Sequence, residues 1–229
     1  MTAPHMTKVK CLPTYILIDT SSSMTPVQDT LNETVETLYD ELILDPSICD
    51  FAHVSIVTFS TDAHVVLGMT DIQQISALPM LECGGVTNFG QALDLVRGCL
   101  DGDVEQLIAA GREVLRPVVF VLTDGQPTDE RGYLSDAWRT SHAQLVDRAW
   151  KRHPNVVPFG FGGATPDVLR DMATIPGAAF IARDPGNTDS LKTIFATLLN
   201  SLVASQQSNE LRLPREVDGF VTVNQDIIT

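Results

Sequence analysis

Short continuous apolar runs alternate along this chain with longer stretches that carry a single apolar stripe. Thr14–Ile18 (TYILI) is an unbroken β-rich run, the pattern of a strand buried on both faces. In Pro26–Leu44, Val27, Leu31, Val35, Leu38 and Leu42 recur at helical spacing and predict one helix with one apolar stripe. Pro26 suits its first turn, where a missing N–H costs nothing. Ala52–Ser60 and Ala63–Thr70 read as strands separated by Thr61-Asp62, a hairpin that makes one edge strand antiparallel. Asp71–Pro79 reads as a linking turn with a short helix.

Gly84-Gly85 breaks the chain ahead of a helical region from near Asn88 to Leu115, with interruptions expected at Gly98, Gly102 and Gly111. Pro117–Thr123 (PVVFVLT) is a second central strand. Ser135–His153 is helical in pattern, Val156–Phe161 a strand, Asp167–Ala173 a short helix, Ala178–Ala182 a strand and Thr188–Ala204 a final helix. This alternation predicts an α/β fold: a mostly parallel central sheet of about six strands, helices on both faces, and one antiparallel edge strand. Residues 1–11 read as an N-terminal extension, 12–204 as one domain and 205–229 as a C-terminal tail. The tail has two readings: disordered, or docked as an extra strand through Phe220-Val221-Thr222-Val223.

Composition narrows the function classes. The chain has 229 residues, 44% hydrophobic and 19% charged, enough apolar content for a large core. Its net charge of −14 argues against nucleic-acid binding, which needs clustered Lys and Arg, and against an anionic membrane surface. The first ten residues contain no long apolar segment of the signal-peptide kind, and no apolar run approaches membrane-spanning length. Cys11, Cys49, Cys83 and Cys99 lie far apart without a C-x-x-C pair, which reads as free thiols in a reducing cytoplasmic setting.

In parallel α/β sheets, ligands bind beyond the carboxyl ends of strands. Asp19-Thr20-Ser21-Ser22-Ser23 follows the first strand, and Asp124-Gly125-Gln126-Pro127-Thr128-Asp129 follows the strand ending at Thr123. Gly84-Gly85-Val86-Thr87-Asn88 opens a helix between them. Three loops thus offer oxygen ligands on one rim. A hard divalent cation takes about six oxygens. Ser21 and Ser23 share a side where the backbone is extended, Thr87 supplies a third hydroxyl, and Asp19 and Asp124 supply negative charge directly or through water. Two carboxylates just neutralise the ion, which then stays electrophilic enough to accept an acidic residue from a partner. Mg²⁺ is the expected ion, with Mn²⁺ or Ca²⁺ as alternatives.

Asp19-x-Ser21-x-Ser23, Thr87 after a double glycine, and Thr123-Asp124-Gly125 resemble the metal-ion-dependent adhesion site of von Willebrand factor type A domains. The resemblance covers roughly residues 12 to 204, and Phe59-Ser60 and Gly90-Gln91-Ala92-Leu93 also look like that family. It implies the vWA fold, a Rossmann-like three-layer sandwich. It also implies Ser21, Ser23 and Thr87 as direct ligands, with Asp19 and Asp124 often acting through water. Ile18-Asp19-Thr20-Ser21 and Leu122–Asp129 look most like its stand-alone TerY-like branch. That branch is associated with bacterial tellurium resistance and stress response, with kinase- and phosphatase-like partner proteins. Ser22 departs from the family, many of whose members have Gly there.

The expected function is therefore a cytosolic, cation-dependent protein–protein interaction module and not an enzyme. A metal-assisted hydrolase or phosphatase, and a scaffold with an inactive metal site, are the alternatives; no G-x-S-x-G elbow and no H-E-x-x-H spacing supports chemistry. Gly160-Phe161-Gly162-Gly163 lacks the lysine and spacing of a phosphate-binding loop. Trp138 and Trp150 read as packing residues, one anchored and one half-exposed.

Overall fold

Every apolar run named above enters one sheet in the computed structural model, which describes residues 9–75, 78, 80–184 and 189–223. Parts of four expectations lie outside the described residues: positions 1–8 of the extension, 76, 77 and 79 of the linking segment, the helix start at 188, and the tail from 224 on. The strands are β1 (Lys10–Asp19), β2 (Ala52–Phe59), β3 (Ala63–Asp71), β4 (Glu113–Val114), β5 (Val118–Thr123), β6 (Asn155–Gly160), β7 (Phe180–Ala182) and β8 (Phe220–Thr222). Their order is β3-β2-β1-β5-β6-β7-β8, with the short β4 also pairing with β1. All neighbours are parallel except β3 on β2 and β8 on β7. The hairpin supplies the expected antiparallel edge, and the tail supplies a second one at the other side of the sheet.

The pleat divides the core into two layers. On β1, Leu12, Ile16 and Ile18 face one cluster, and Tyr15 and Leu17 face the other. The first layer is covered by α1 (Gln28–Ile43), α2 (Pro46–Phe51) and α6 (Asp189–Ser208). The second is covered by α3 (Phe89–Ala109) and α4 (Trp138–Leu145), with α5 (Pro166–Met172) adding Met172. Leu31, Val35, Leu38 and Leu42 of the apolar stripe are buried as their spacing predicts. Burying such a side chain contributes about 1.5–3 kcal/mol, so the stripe holds α1 to the sheet.

Four boundaries differ from the sequence reading. Pro26 lies inside a 3-10 turn, Ser22–Val27, that precedes α1. Gly98 and Gly102 do not interrupt α3, because both lie on its exposed face. The helix stops at Gly111 (φ +83°) instead: Gly111 N–H donates to Ile108 O and Arg112 N–H to Leu107 O, a Schellman cap. The expected helix over Ser135–His153 is helical only from Trp138 to Leu145. Past Val146, Asp147 Oδ1 accepts from Ala149 N–H at 2.9 Å, a local bond that competes with helix continuation. The final helix runs a turn beyond Ala204 to Ser208, with Ser205 fully buried.

Candidate metal centre

The carboxyl ends of β1 and β5 lie side by side, because Ile18 is in register with Leu122. That register places Asp19 next to Thr123, whose hydroxyl donates to Asp19 Oδ2 at 2.6 Å. The other carboxylate oxygen, Oδ1, accepts the Ser21 N–H at 2.9 Å. Beyond Asp19 the chain turns into the 3-10 segment, which brings Ser21 Oγ to 3.1 Å from Ser23 Oγ. Ser23 Oγ in turn donates to Asp124 Oδ1 at 2.7 Å. Asp19, Ser21, Ser23 and Asp124 therefore form one connected polar chain across two loops.

Thr87 comes from the third loop. A β-carbon placed on Gly125 would lie 3.0 Å from Thr87 Oγ1 and 3.8 Å from Asp19 Oδ2, so both oxygens border the same small space. Only a glycine leaves that space open. The Thr87 backbone is clamped from both sides: its N–H donates to Thr128 Oγ1 (3.0 Å) and its carbonyl accepts Thr128 N–H (2.8 Å). Its own hydroxyl takes no hydrogen-bond partner among the described residues. Asn88 then caps α3, accepting from Gln91 N–H at 3.4 Å, which holds Thr87 at the helix entrance.

The loops are also tied to each other. Gly84 N–H donates to Thr20 O at 2.7 Å, and Thr20 N–H to Phe59 O at 2.8 Å. Ser22 sends both its N–H (3.1 Å) and its hydroxyl (2.8 Å) to Gly85 O, so the residue that departs from the family pattern cross-links two loops. Gly85 itself sits at φ +82°, where a side chain would meet Thr61 Oγ1 at 2.5 Å.

Burial dominates the electrostatics. Asp19 is fully buried, which pushes its carboxyl up to about 6 despite the hydrogen bonds from Ser21 and Thr123. Asp124 is raised for the same reason, offset in part by Ser23. Burial and the two carboxylates together push the neighbouring Cys83 thiol up to about 11. None of the groups that shift either carboxyl is a Lys, Arg or His. Among the described residues no three His, Cys, Asp or Glu side chains gather into one metal-holding group; the rim offers two acids and otherwise alcohols. That donor set, all oxygen and doubly acidic without a resident base, fits a hard divalent cation.

The structure thus brings together four of the five residues singled out from sequence and sets Thr87 beside them. Three supporting residues had no role assigned to them. Thr123 orients Asp19, Thr128 clamps Thr87, and Gly162 (φ +55°) packs against Asp124, where a β-carbon would meet Asp124 Cβ and O at 3.1 Å. Thr123 carried a signal, a polar residue ending an otherwise apolar strand, whereas Thr128 in the loop beyond carried none. Gly162 had none, since its neighbour is 38 positions away in the chain.

A sequence model of the von Willebrand factor type A domain matches residues 15–197. Among curated proteins none matches the chain. Solved structures with similar folds include proximal thread matrix protein 1 from the mussel byssus with a zinc-occupied MIDAS motif (17% identity, TM-score 0.60, 86% of this chain and 48% of that one). A von Willebrand factor type A protein from Catenulispora acidiphila is similar at 18% identity and TM-score 0.57, over 84% of this chain and 43% of that one. The pilus adhesin SpaC from Lactobacillus rhamnosus GG in its open conformation is similar at 14% identity and TM-score 0.63, over 86% and 30%. The chain thus spans less than half the length of each of these proteins. Among the described residues no helix is long and apolar enough to cross a membrane.

Proposed function

The chain belongs to the von Willebrand factor type A family, and from that premise we propose that it is a divalent-cation-dependent protein-interaction module. The observation that carries the reading is the polar chain Asp19–Ser21–Ser23–Asp124 with the Thr87 hydroxyl facing the same space. Ser21, Ser23 and Thr87 would hold the cation directly, and Asp19 and Asp124 directly or through water. A bound divalent cation supplies an electrophilic position that an acidic residue of a partner protein fills. The protein's own residues do the rest. Thr123 and the Ser21 N–H keep Asp19 oriented, Thr128 keeps Thr87 at the rim, and Gly125 leaves the space between them open.

Mg²⁺ is the ion we propose, since an alcohol-rich oxygen set suits a hard cation. Zinc occupies the corresponding motif named for the mussel thread protein, so Zn²⁺ belongs beside Mn²⁺ and Ca²⁺ in the titrations. The TerY-like character of Ile18–Ser21 and Leu122–Asp129 supports a cytosolic bacterial stress or tellurium-resistance setting, with kinase- or phosphatase-like proteins as partners. Calorimetric titration of the full chain with Mg²⁺ and Mn²⁺ tests the site. Saturable binding that disappears in Asp124→Ala, with a folded variant by circular dichroism, supports it; binding unchanged in Asp19→Ala and Asp124→Ala alike overturns it. For the interaction, partner capture must be lost with a chelator. Metal-dependent turnover of phosphoesters or esters, abolished in Asp124→Ala, would replace this reading with the hydrolase alternative.

A further inference from the structure

β5 carries a charged residue just beyond each end. Asp124 follows its last residue at the rim, and Arg116 precedes its first by two positions, at the amino-terminal end of the strand. A six-residue strand spans about 20 Å, so the two ends serve separate places. Around Arg116 lies an open pocket of about 500 Å³, bordered by His142, Arg148, His153, Asn155 and Thr174. Its wall holds two arginines and no Asp or Glu, in a chain of net charge −14, and His142 borders it with Nε2 already bonded to Met172 O at 2.8 Å. We propose that this pocket is an anion site that takes a phosphate monoester.

Of the neighbouring acids, one is paired with other arginines and one turns to the backbone. Asp171 is paired with Arg139 at 2.7 Å and Arg170 at 3.4 Å. Asp147 folds back on Ala149 N–H at 2.9 Å. Arg148 has no hydrogen bond or ion pair among the described residues. Arg116 is held in place: Nη1 donates to His153 O at 3.1 Å and touches the His153 ring. That ring is oriented in turn by Nδ1–H donating to Trp150 O at 2.7 Å. One nitrogen of the Arg116 fork is thus used for positioning, and the remaining N–H donors are left for a ligand.

Guanidinium forks match the tetrahedral oxygens of a phosphate, and two of them balance a dianion. The choice of an ester over the free ion rests on size. Small-ligand pockets run about 300–1,000 Å³, far more than one phosphate group fills. Val146 and the buried Pro154 give the wall an apolar part against which an organic group rests. The site is independent of the rim and stands whether or not the rim binds a cation.

The test is an amide-shift titration of the full chain with phenyl phosphate, with inorganic phosphate, and with sodium chloride at matched ionic strength. Phenyl phosphate is expected to give saturable shifts at Asn155, Thr174 and His153, and Arg148→Ala to weaken binding by about tenfold or more. Asp19→Ala is expected to bind phenyl phosphate as the parent chain does. Inorganic phosphate binding as tightly as phenyl phosphate overturns the ester assignment. Shifts that chloride reproduces, or affinity unchanged in both Arg148→Ala and Arg116→Gln, overturn the site.

Discussion

The Thr123 hydroxyl donates to Asp19 Oδ2 across 2.6 Å, and both residues are fully buried. This bond joins the ends of β1 and β5 and holds one carboxylate oxygen at the candidate metal centre. Thr123→Val keeps the shape and removes the donor. Hydrogen bonds to charged groups contribute about 1.5–3 kcal/mol, so denaturant unfolding at pH 7.5 should show a loss of that order. The loss should shrink at pH 5, where Asp19 is protonated and needs a donor less.

Asp19 titrates at about 6 in the folded protein against 3.8 for the ordinary carboxyl. A raised carboxyl favours the folded state below the unfolded value, and that contribution is lost as pH rises through the folded value. Unfolding midpoints of the metal-free chain should therefore carry a component that falls between about pH 4 and pH 7. Mg²⁺ should restore stability at pH 7 and much less at pH 5. Calorimetry in buffers of different ionisation enthalpy, run near pH 6, should register proton release on binding.

Gly162 presses on Asp124 from behind with φ +55°. Gly162→Ala puts a side chain on a left-handed backbone, costing about 1–2 kcal/mol, and a β-carbon 3.1 Å from Asp124 Cβ and O. The variant should unfold at lower denaturant and bind Mg²⁺ more weakly than the parent. Gly163→Ala is the milder companion, since its β-carbon meets only Asp124 O at 3.2 Å and carries no left-handed strain.

Gly98 and Gly102 have open space where a β-carbon would be. Alanine there should stabilise the chain by roughly 0.5–1 kcal/mol at each position. Thermal denaturation of the double variant should show additive gains, with Mg²⁺ affinity unchanged because neither residue approaches the rim.

Phe220 is buried, and its ring stands 6.2 Å from that of Phe159 in a T-shaped pair. Phe220→Ala should cost about 3–5 kcal/mol, the usual range for a buried phenylalanine. An exposed residue of the same strand, Val221→Ala, should change stability by less than about 1 kcal/mol. Equal small effects in both variants would mean that the strand adds little to the core.

The central strands were legible because they are buried on both faces and stay apolar throughout. The boundaries were less so, for reasons visible at particular residues. Helical periodicity continues past Leu145, but Asp147 offers the backbone a local partner that the pattern does not weigh. Gly98 and Gly102 look like breaks in one dimension, yet a packed helix tolerates glycine on its solvent face. The tail remained ambiguous because a three-residue strand has too few positions to show a period.

Residue chemistry singled out Asp19, Ser21, Ser23 and Asp124 after two apolar strands and Thr87 at a helix entrance, since together they make an all-oxygen donor set. It also set the α/β class, through the spacing of apolar runs. Only the folded structure decided that Leu122 pairs with Ile18, that Thr123 therefore reaches Asp19, and that Thr128 and Gly162 brace the other two loops. Register and cross-loop contact depend on which distant segments pack together, and that choice is made by the whole core at once. No local stretch of the chain carries it.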